Sequence, residues 1–315
     1  MMNKRELMLS LLDSDADTPY IPAGFFLHFD KKYHHGKAAV QKHLQFFKFT
    51  GMDFVKIQYE LVFPAIPKIN APEDWADIPF YGSDFFSDHW QIVKGLVDAV
   101  GSDALVIMTL YSPFMCASQV AGKELRDQHI REYPDEINKG FEVLTESLIQ
   151  FVDGCIAQGV DGFYHSTQGG ENEHFGDSHL FDQCIKPFDL ALMNHVNEQS
   201  EYNILHICDY HGTYDDLSPY LDYPGDIVNC NLFVGKKEWS GQSISEMFER
   251  PFMGGLDRHG IIVSGTETQI QEEVQSIIQD SPRKFILAAD CTLPSDTDWK
   301  NIQIAIETAH QFQKK

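Results

Sequence analysis

Eight short apolar runs, each followed by an amphipathic stretch, recur along the whole 315-residue chain, and this alternation limits the possible fold more than any other feature. The runs fall at 21–29, 54–60, 104–111, 162–166, 203–208, 227–233, 251–256 and 284–289. Most are nearly continuous in apolar residues and end in small or polar ones. That pattern belongs to parallel strands covered on both faces.

Helical periodicity fills the gaps. Val40, Leu44 and Phe47 stand three and four apart before Gly51, a natural helix stop. Trp90, Val93, Leu96, Val97 and Val100 repeat the spacing. The longest helix is predicted to start at Pro134 and to run through Phe141, Leu148 and Ile156 to Gly159. Further helices are predicted at 6–12, 180–198, 267–279 and 299–313. Strands alternating with helices imply βαβ units, and eight of them predict a single-domain (β/α)8 TIM barrel over residues 1–315. A doubly wound open sheet is the competing architecture. No GxGxxG or GxxxxGK[ST] loop follows any run, which disfavours its nucleotide-binding version. The Pro-containing stretch 63–79 is predicted to be a long loop after the second strand, and loops of that length are often functional.

Composition excludes some functions. Forty-seven acidic residues face twenty-four basic ones, a formal net charge of −23 spread without long runs. Such a surface repels nucleic-acid phosphates and anionic lipid, so neither is an expected partner. No apolar stretch approaches the ~20 residues that span a bilayer. The N-terminal residues lack the apolar run of a signal peptide, and the six cysteines are scattered with no CxxC pair, so a cytoplasmic protein is expected rather than a secreted disulfide scaffold.

In a TIM barrel the chemistry sits where strands end and loops begin. At the run exits stand His28 and Asp30, Gln58 and Glu60, Tyr111, Ser166 and Gln168, His206 and Cys208, Asn229 and Asn231, Asp257, and Asp290 and Cys291. Any strand must leave the core through polar residues, so a single such position carries little information. His206 and Cys208 are more specific, because residues two apart on a strand point to the same side. Cys291 ends the last run, and closing the barrel puts all three on one rim. One imidazole and two thiolates suit Zn²⁺, with a fourth position left open as in catalytic zinc sites. Buried His and Cys are common, so the pair alone would not carry that reading.

The residues at these positions resemble those of the uroporphyrinogen decarboxylase superfamily, whose barrel also hosts zinc-dependent methyl transfer from corrinoid proteins to thiols such as coenzyme M. The similarity is nearly full-length. Lys4-Arg5-Glu6-Leu7 through Asp17-Thr18-Pro19-Tyr20-Ile21-Pro22 is similar to the family's opening helix and first strand. Gly159-Val160-Asp161-Gly162 with Ser166-Thr167-Gln168-Gly169 is similar to its fourth-strand segment, and Met253-Gly254-Gly255-Leu256-Asp257 with Ser264-Gly265-Thr266 to its seventh.

The resemblance implies more at the site. The methyltransferase branch binds zinc through an HxC after strand five and a lone Cys after strand eight, matched here by His206, Cys208 and Cys291. The decarboxylases carry a His near the position of Cys291 and two arginines in the strand-one loop. This chain has His28-Phe29-Asp30-Lys31-Lys32-Tyr33 there, with Glu60 nearest to the family's catalytic Asp. The chain also departs from the methyltransferase branch, with Asp209 and Asp290 where relatives often have Gly. Asn231 stands where the related cobalamin-independent methionine synthases supply a Glu ligand, so a fourth protein ligand is not expected.

The resemblance therefore implies an enzyme that moves a methyl group from a corrinoid protein to a zinc-activated small-molecule thiol. Asp257 and Asn231 would orient substrate or ligands, and Tyr111, Gln168 and His28 would shape the pocket. Cofactor-free decarboxylation of uroporphyrinogen or a similar polycarboxylate, with Lys31 and Lys32 in place of the arginines, is the alternative. A non-catalytic ligand-binding barrel is the third reading.

Overall fold

The computed structural model describes residues 3–13, 18–58, 60–175 and 179–312; Asp17 and Gln313, which entered the expectations above, lie outside them. The strands are β1 (Phe54–Ile57), β2 (Leu105–Tyr111), β3 (Gly162–Thr167), β4 (Ile204–Ile207), β5 (Ile227–Cys230), β6 (Phe233–Val234), β7 (Lys237–Glu238), β8 (Phe252–Leu256) and β9 (Phe285–Ala289). Seven form one parallel sheet in the order β1-β2-β3-β4-β5-β8-β9, while β6 and β7 make a small antiparallel hairpin beyond β5. Helices connect and cover the parallel strands, and the chain is a TIM barrel.

The first expected strand needs correction. Residues 21–29 form no regular strand but an extended segment with two isolated parallel bridges, Ala23 to Leu287 and Leu27 to Leu293. Leu287 N–H donates to Pro22 O at 2.9 Å, Gly24 N–H to Leu287 O at 3.0 Å, and on the other side Asp53 N–H donates to Ala23 O at 3.0 Å. The segment thus fills the seam between β9 and β1 as an irregular eighth stave. Pro22 has no N–H to give a ladder, and Gly24 lies so close to β1 that a Cβ would stand 2.5 Å from the Phe54 ring. Of the other runs, β1, β4 and β5 end one to three residues earlier than expected, where the loops of the mouth begin, β2, β8 and β9 end where expected, and β3 runs one residue further.

Period two along the strands separates two cores. Phe26, Phe54, Leu105, Ile107, Tyr164, Ile204, Ile227, Met253 and Ile286 fill the barrel, with Met8 of the N-terminal helix (Lys4–Ser10) and its C-cap Leu11 packed against them. Val55, Val106, Phe163, Leu205, Val228 and Leu287 face outward to the helices. Asp53, fully buried, fastens the N-terminal end of β1: it accepts from Tyr20 OH and His310 Nε2 at 2.8 Å, and from Ala23 N–H at 2.8 Å. Gly162 opens β3 because a Cβ there would fall 1.7 Å from the backbone carbonyl oxygen of Tyr202.

The expected helices are present as Gly36–Thr50, Ser83–Val100, Pro134–Ala157, Lys186–Gln199, Glu267–Gln279 and Trp299–Gln311. Gly51 ends the first of these with φ of 78°, the left-handed conformation that favours glycine. Four more α-helices, Pro113–Ala121, Lys123–Glu132, Gly241–Phe248 and the single turn Ile261–Ser264, were not anticipated. The 63–79 loop is pinned rather than free: the wholly buried Trp75 donates its indole N–H to His129 Nδ1 at 2.8 Å. Among the described residues no helix is long and apolar enough to cross a membrane.

Candidate metal centre

The same period-two rule that fills the barrel carries functional side chains into its C-terminal mouth. On β4, Ile204 faces the interior, so His206 does too; register places it beside Ser166 of β3 and Asn229 of β5. One residue past the strand, Cys208 N–H still donates to Thr167 O at 3.0 Å, which prolongs the ladder and fixes the thiol at the rim. Across the barrel, Asp290 N–H donates to Leu256 O at 2.9 Å and positions Cys291 in the same way.

The donor atoms of His206, Cys208 and Cys291 lie within 4.8 Å of one another, and all three residues are buried. The two sulfurs are 3.9 Å apart, and Cys291 Sγ is 3.4 Å from His206 Nε2. Tetrahedral zinc with Zn–S near 2.3 Å and Zn–N near 2.05 Å requires S···S of about 3.8 Å and S···N of about 3.6 Å. The donor set therefore fits zinc in chemistry and spacing, and these three residues could hold the ion. The sulfurs are too far apart for a disulfide, and both cysteines are free.

The two thiols are not equivalent. Cys208 is held well below the ordinary thiol value, chiefly by the hydrogen bond from Cys291 and then by His206, while the same hydrogen bond and burial push Cys291 well above it. Gln168 Nε2 donates to Cys208 Sγ at 3.3 Å, further favouring the thiolate. His206 stacks on the Tyr164 ring at 4.9 Å, and its Nδ1 is buried without a hydrogen-bond partner among the described residues.

A cavity of about 270 Å³ opens onto this triad. His28, Tyr111 and Gln168 line it as expected from the sequence, together with Lys56, Gln58, Thr109, Tyr164, Met115 and His211. Asn231 and Asp257 do not line it. Asn231 lies behind the cysteines and donates to Asp209 Oδ2 at 2.7 Å and Asp290 Oδ2 at 2.9 Å. Asp257 faces solvent, where its Oδ1 accepts from His259 N–H at 2.8 Å and shapes the turn that presents Arg258. At the mouth, His28 Nδ1 is 3.1 Å from Glu60 Oε1.

Two groups escaped the sequence reading. Lys56, in the middle of β1, projects into the cavity between Phe26 and Tyr164, with Nζ 4.2 and 4.3 Å from the ring centroids, and donates to Gln58 Oε1 at 2.7 Å. A lysine inside a run buried on both faces was the available signal. The second is Arg258, whose guanidinium Nη1 donates to Asp209 Oδ1 at 2.5 Å and to Asp290 Oδ2 at 3.2 Å.

A methyltransferase from Methanosarcina mazei is similar in structure, with a TM-score of 0.79 and 14% identity over 98% of this chain and 98% of that one. A B12-independent methionine synthase from Shewanella sp. W3-18-1, in complex with selenomethionine, is similar at a TM-score of 0.55 and 12% identity over 94% of this chain and 97% of that one. At these identities the likeness is one of fold. No curated protein matches the chain. The family model described as uroporphyrinogen decarboxylase (URO-D) matches residues 50–312, most of the chain and every residue of the triad; the protein belongs to the URO-D family.

Proposed function

We propose that this protein is a zinc-dependent methyltransferase that moves a methyl group from a corrinoid protein to a small-molecule thiol. The observation that carries the reading is the donor geometry: Cys291 Sγ stands at near-tetrahedral zinc spacing from both Cys208 Sγ and His206 Nε2, and the three donors lie within 4.8 Å of one another in the lining of the cavity. The methyltransferase and methionine synthase names of the two similar structures agree with it. His206, Cys208 and Cys291 would hold the ion, which when bound supplies a Lewis acid that favours the thiolate form of a substrate thiol. The methyl group would pass to the thiol sulfur while the carbon–cobalt electron pair stays with cobalt.

The chain's own residues prepare that transfer. Gln168 orients the Cys208 sulfur, and Tyr164 holds the His206 ring in plane. Tyr111 and the apolar parts of Met115 and Tyr164 narrow the cavity to the scale of a small thiol and limit water around its sulfur. Asn231 ties together the loops that carry the two cysteines, and Asp257 supports the turn beside them. The corrinoid protein would dock over the open mouth at the C-terminal ends of the strands.

Metal analysis tests the reading. Protein purified under reducing conditions at neutral pH with zinc supplied is expected to carry about one zinc per chain. Cys208→Ser and Cys291→Ser should each lose it while keeping the fold, because a serine hydroxyl does not ionise near neutral pH and the rim lies outside the stabilising core. A metal-free wild type, or zinc retained in both variants, would overturn the assignment.

A further inference from the structure

Lys56 is the one lysine or arginine among the residues lining the cavity. It is only 6% exposed, and no carboxylate lies within ion-pair distance of its ammonium among the described residues. Its ammonium donates to a neutral amide, that of Gln58, and two aromatic rings flank it. The Tyr164 ring joins it to the metal triad, because Lys56 Nζ lies over that ring at 4.3 Å from its centroid and the same ring stacks on His206 at 4.9 Å. A cation buried this way without a counter-charge is costly, so the arrangement calls for either an anion or a neutral amine.

Charge counting narrows the choice. Two cysteine thiolates cancel the charge of a divalent ion, so a third sulfur arriving as thiolate leaves the loaded site with one uncompensated negative charge. We propose that Lys56 takes the proton from the incoming thiol and then stands as the counter-cation of the thiolate at the open side of His206, Cys208 and Cys291. The S–H bond breaks, an N–H bond forms, and thiol plus amine become thiolate plus ammonium with no net change of charge. Once the sulfur is alkylated and neutral, the ammonium returns its proton to solvent. This rests on the thiol-activating reading of the cavity.

The electrostatics around Nζ agree with a group that changes charge in use. Burial pushes Lys56 down to about 7, against the opposing pull of Cys291, Glu60 and Cys208. The other titratable groups around it are Tyr164 and Tyr111, both pushed up by burial and so neutral, His43, pushed down to about 4 by burial, and His28 at the mouth. Gln58 Oε1 accepts from the amine and aims it; Gln58 is held in turn by its backbone N–H, which donates to His43 Nε2 at 3.2 Å.

The test uses zinc-loaded protein at pH 8 and 2-mercaptoethanol, a thiol with an uncharged tail. Calorimetry in buffers of different ionisation enthalpy counts the protons released on thiol binding. The wild type is expected to release about none, because Lys56 keeps the proton. Lys56→Met and Lys56→Gln should release about one and bind the thiol at least about tenfold more weakly, since an adjacent charge in a partly desolvated site is lost. Both variants should bind zinc about as tightly as the wild type, measured by chelator competition, because Lys56 is not a ligand and stands as the neutral amine before thiol arrives. A lysine that merely packs between Phe26 and Tyr164 would give none of these opposed shifts. Wild-type thiol affinity and proton count in both variants, with zinc retained, overturn the role of Lys56 and leave the metal assignment standing. Failure of the wild type to bind zinc would instead remove the reading beneath it.

Discussion

Arg258 and Asp290 are joined twice, by Arg258 N–H to Oδ1 at 2.9 Å and by the guanidinium to Oδ2 at 3.2 Å, and the same guanidinium reaches Asp209. Asp290 precedes Cys291 and Asp209 follows Cys208, so one arginine clamps the two loops that hold the thiols 3.9 Å apart. Asn231 bridges the same carboxylates from the other side.

That clamp predicts a linked loss. In Arg258→Met the Asp209 and Asp290 side chains, 11% and 8% exposed, face each other with no cation. Unfolding in urea should show a loss of about 3 kcal/mol, the usual cost of an orphaned buried charge. Zinc affinity should fall by about 10- to 100-fold, as for other groups that orient metal ligands. Arg258→Lys should be intermediate, because lysine lacks the fork that spans both carboxylates. Unchanged zinc affinity in Arg258→Met would show that the clamp does not set the thiol positions.

At the opposite end of the barrel, Asp53 should behave as a structural carboxylate. Burial alone would raise its pKa, but the hydrogen bond and charge of His310, with Lys4, outweigh burial and leave it below the ordinary value. Its contribution to stability is therefore complete above the ordinary carboxylate range and disappears as pH falls through the lower folded value. Asp53→Asn should cost about 2–3 kcal/mol at pH 7, and the gap to wild type should close below about pH 4. A penalty that is constant from pH 7 to pH 3 would refute this.

Much of this architecture was legible because it follows from periodicity. Runs such as 104–111 and 284–289 are apolar throughout because both faces are buried, and spacing of two placed His206 and Cys208 on one side of a strand. The first run misled in detail, since Pro22 and Gly24 read as apolar strand neighbours yet prevent a regular ladder. Lys56 and Arg258 were not found for a different reason. A single sequence shows a charge but not whether it points inward, and an arginine in a turn looks like any solvated one until the aspartates beside the two cysteines are seen to converge on it. Asp257, expected at the site, instead faces solvent because the chain turns outward directly after β8 and sends the next side chain, Arg258, inward.

Uroporphyrinogen should not be turned over at an ordinary enzyme rate. Lys31 and Lys32, which the decarboxylation alternative would need as carboxylate clamps, are exposed, and Lys32 pairs with Asp30 at 3.5 Å. Neither lines the cavity, where Lys56 alone faces a substrate with many carboxylates. Incubation with uroporphyrinogen and chromatography of the oxidised products checks this; coproporphyrin would reverse the ranking of the two activities.

The unequal thiols set the last expectation, the number of protons that zinc displaces. The hydrogen bond between the sulfurs lowers Cys208 and raises Cys291, with His206 adding to the first shift and burial to the second, so between pH 7.5 and 8.5 zinc is expected to meet Cys208 as the thiolate and Cys291 as the thiol. Metal binding needs both as thiolates, so it must expel the Cys291 proton and only that one. Zinc binding should therefore release about one proton per chain, and its affinity should fall about tenfold for each pH unit descended across this window. Calorimetry in two buffers measures the first quantity, and chelator competition across the pH range the second. Cys208→Ser would replace a thiolate acceptor with a neutral hydroxyl and so remove the negative charge that helps to lift Cys291, and alkylation of Cys291 in that variant should become faster at pH 8 than in metal-free wild type. Release of two protons, with a hundredfold fall per pH unit, would mean that the sulfurs share their protons equally and that the asymmetry of the pair is absent in solution.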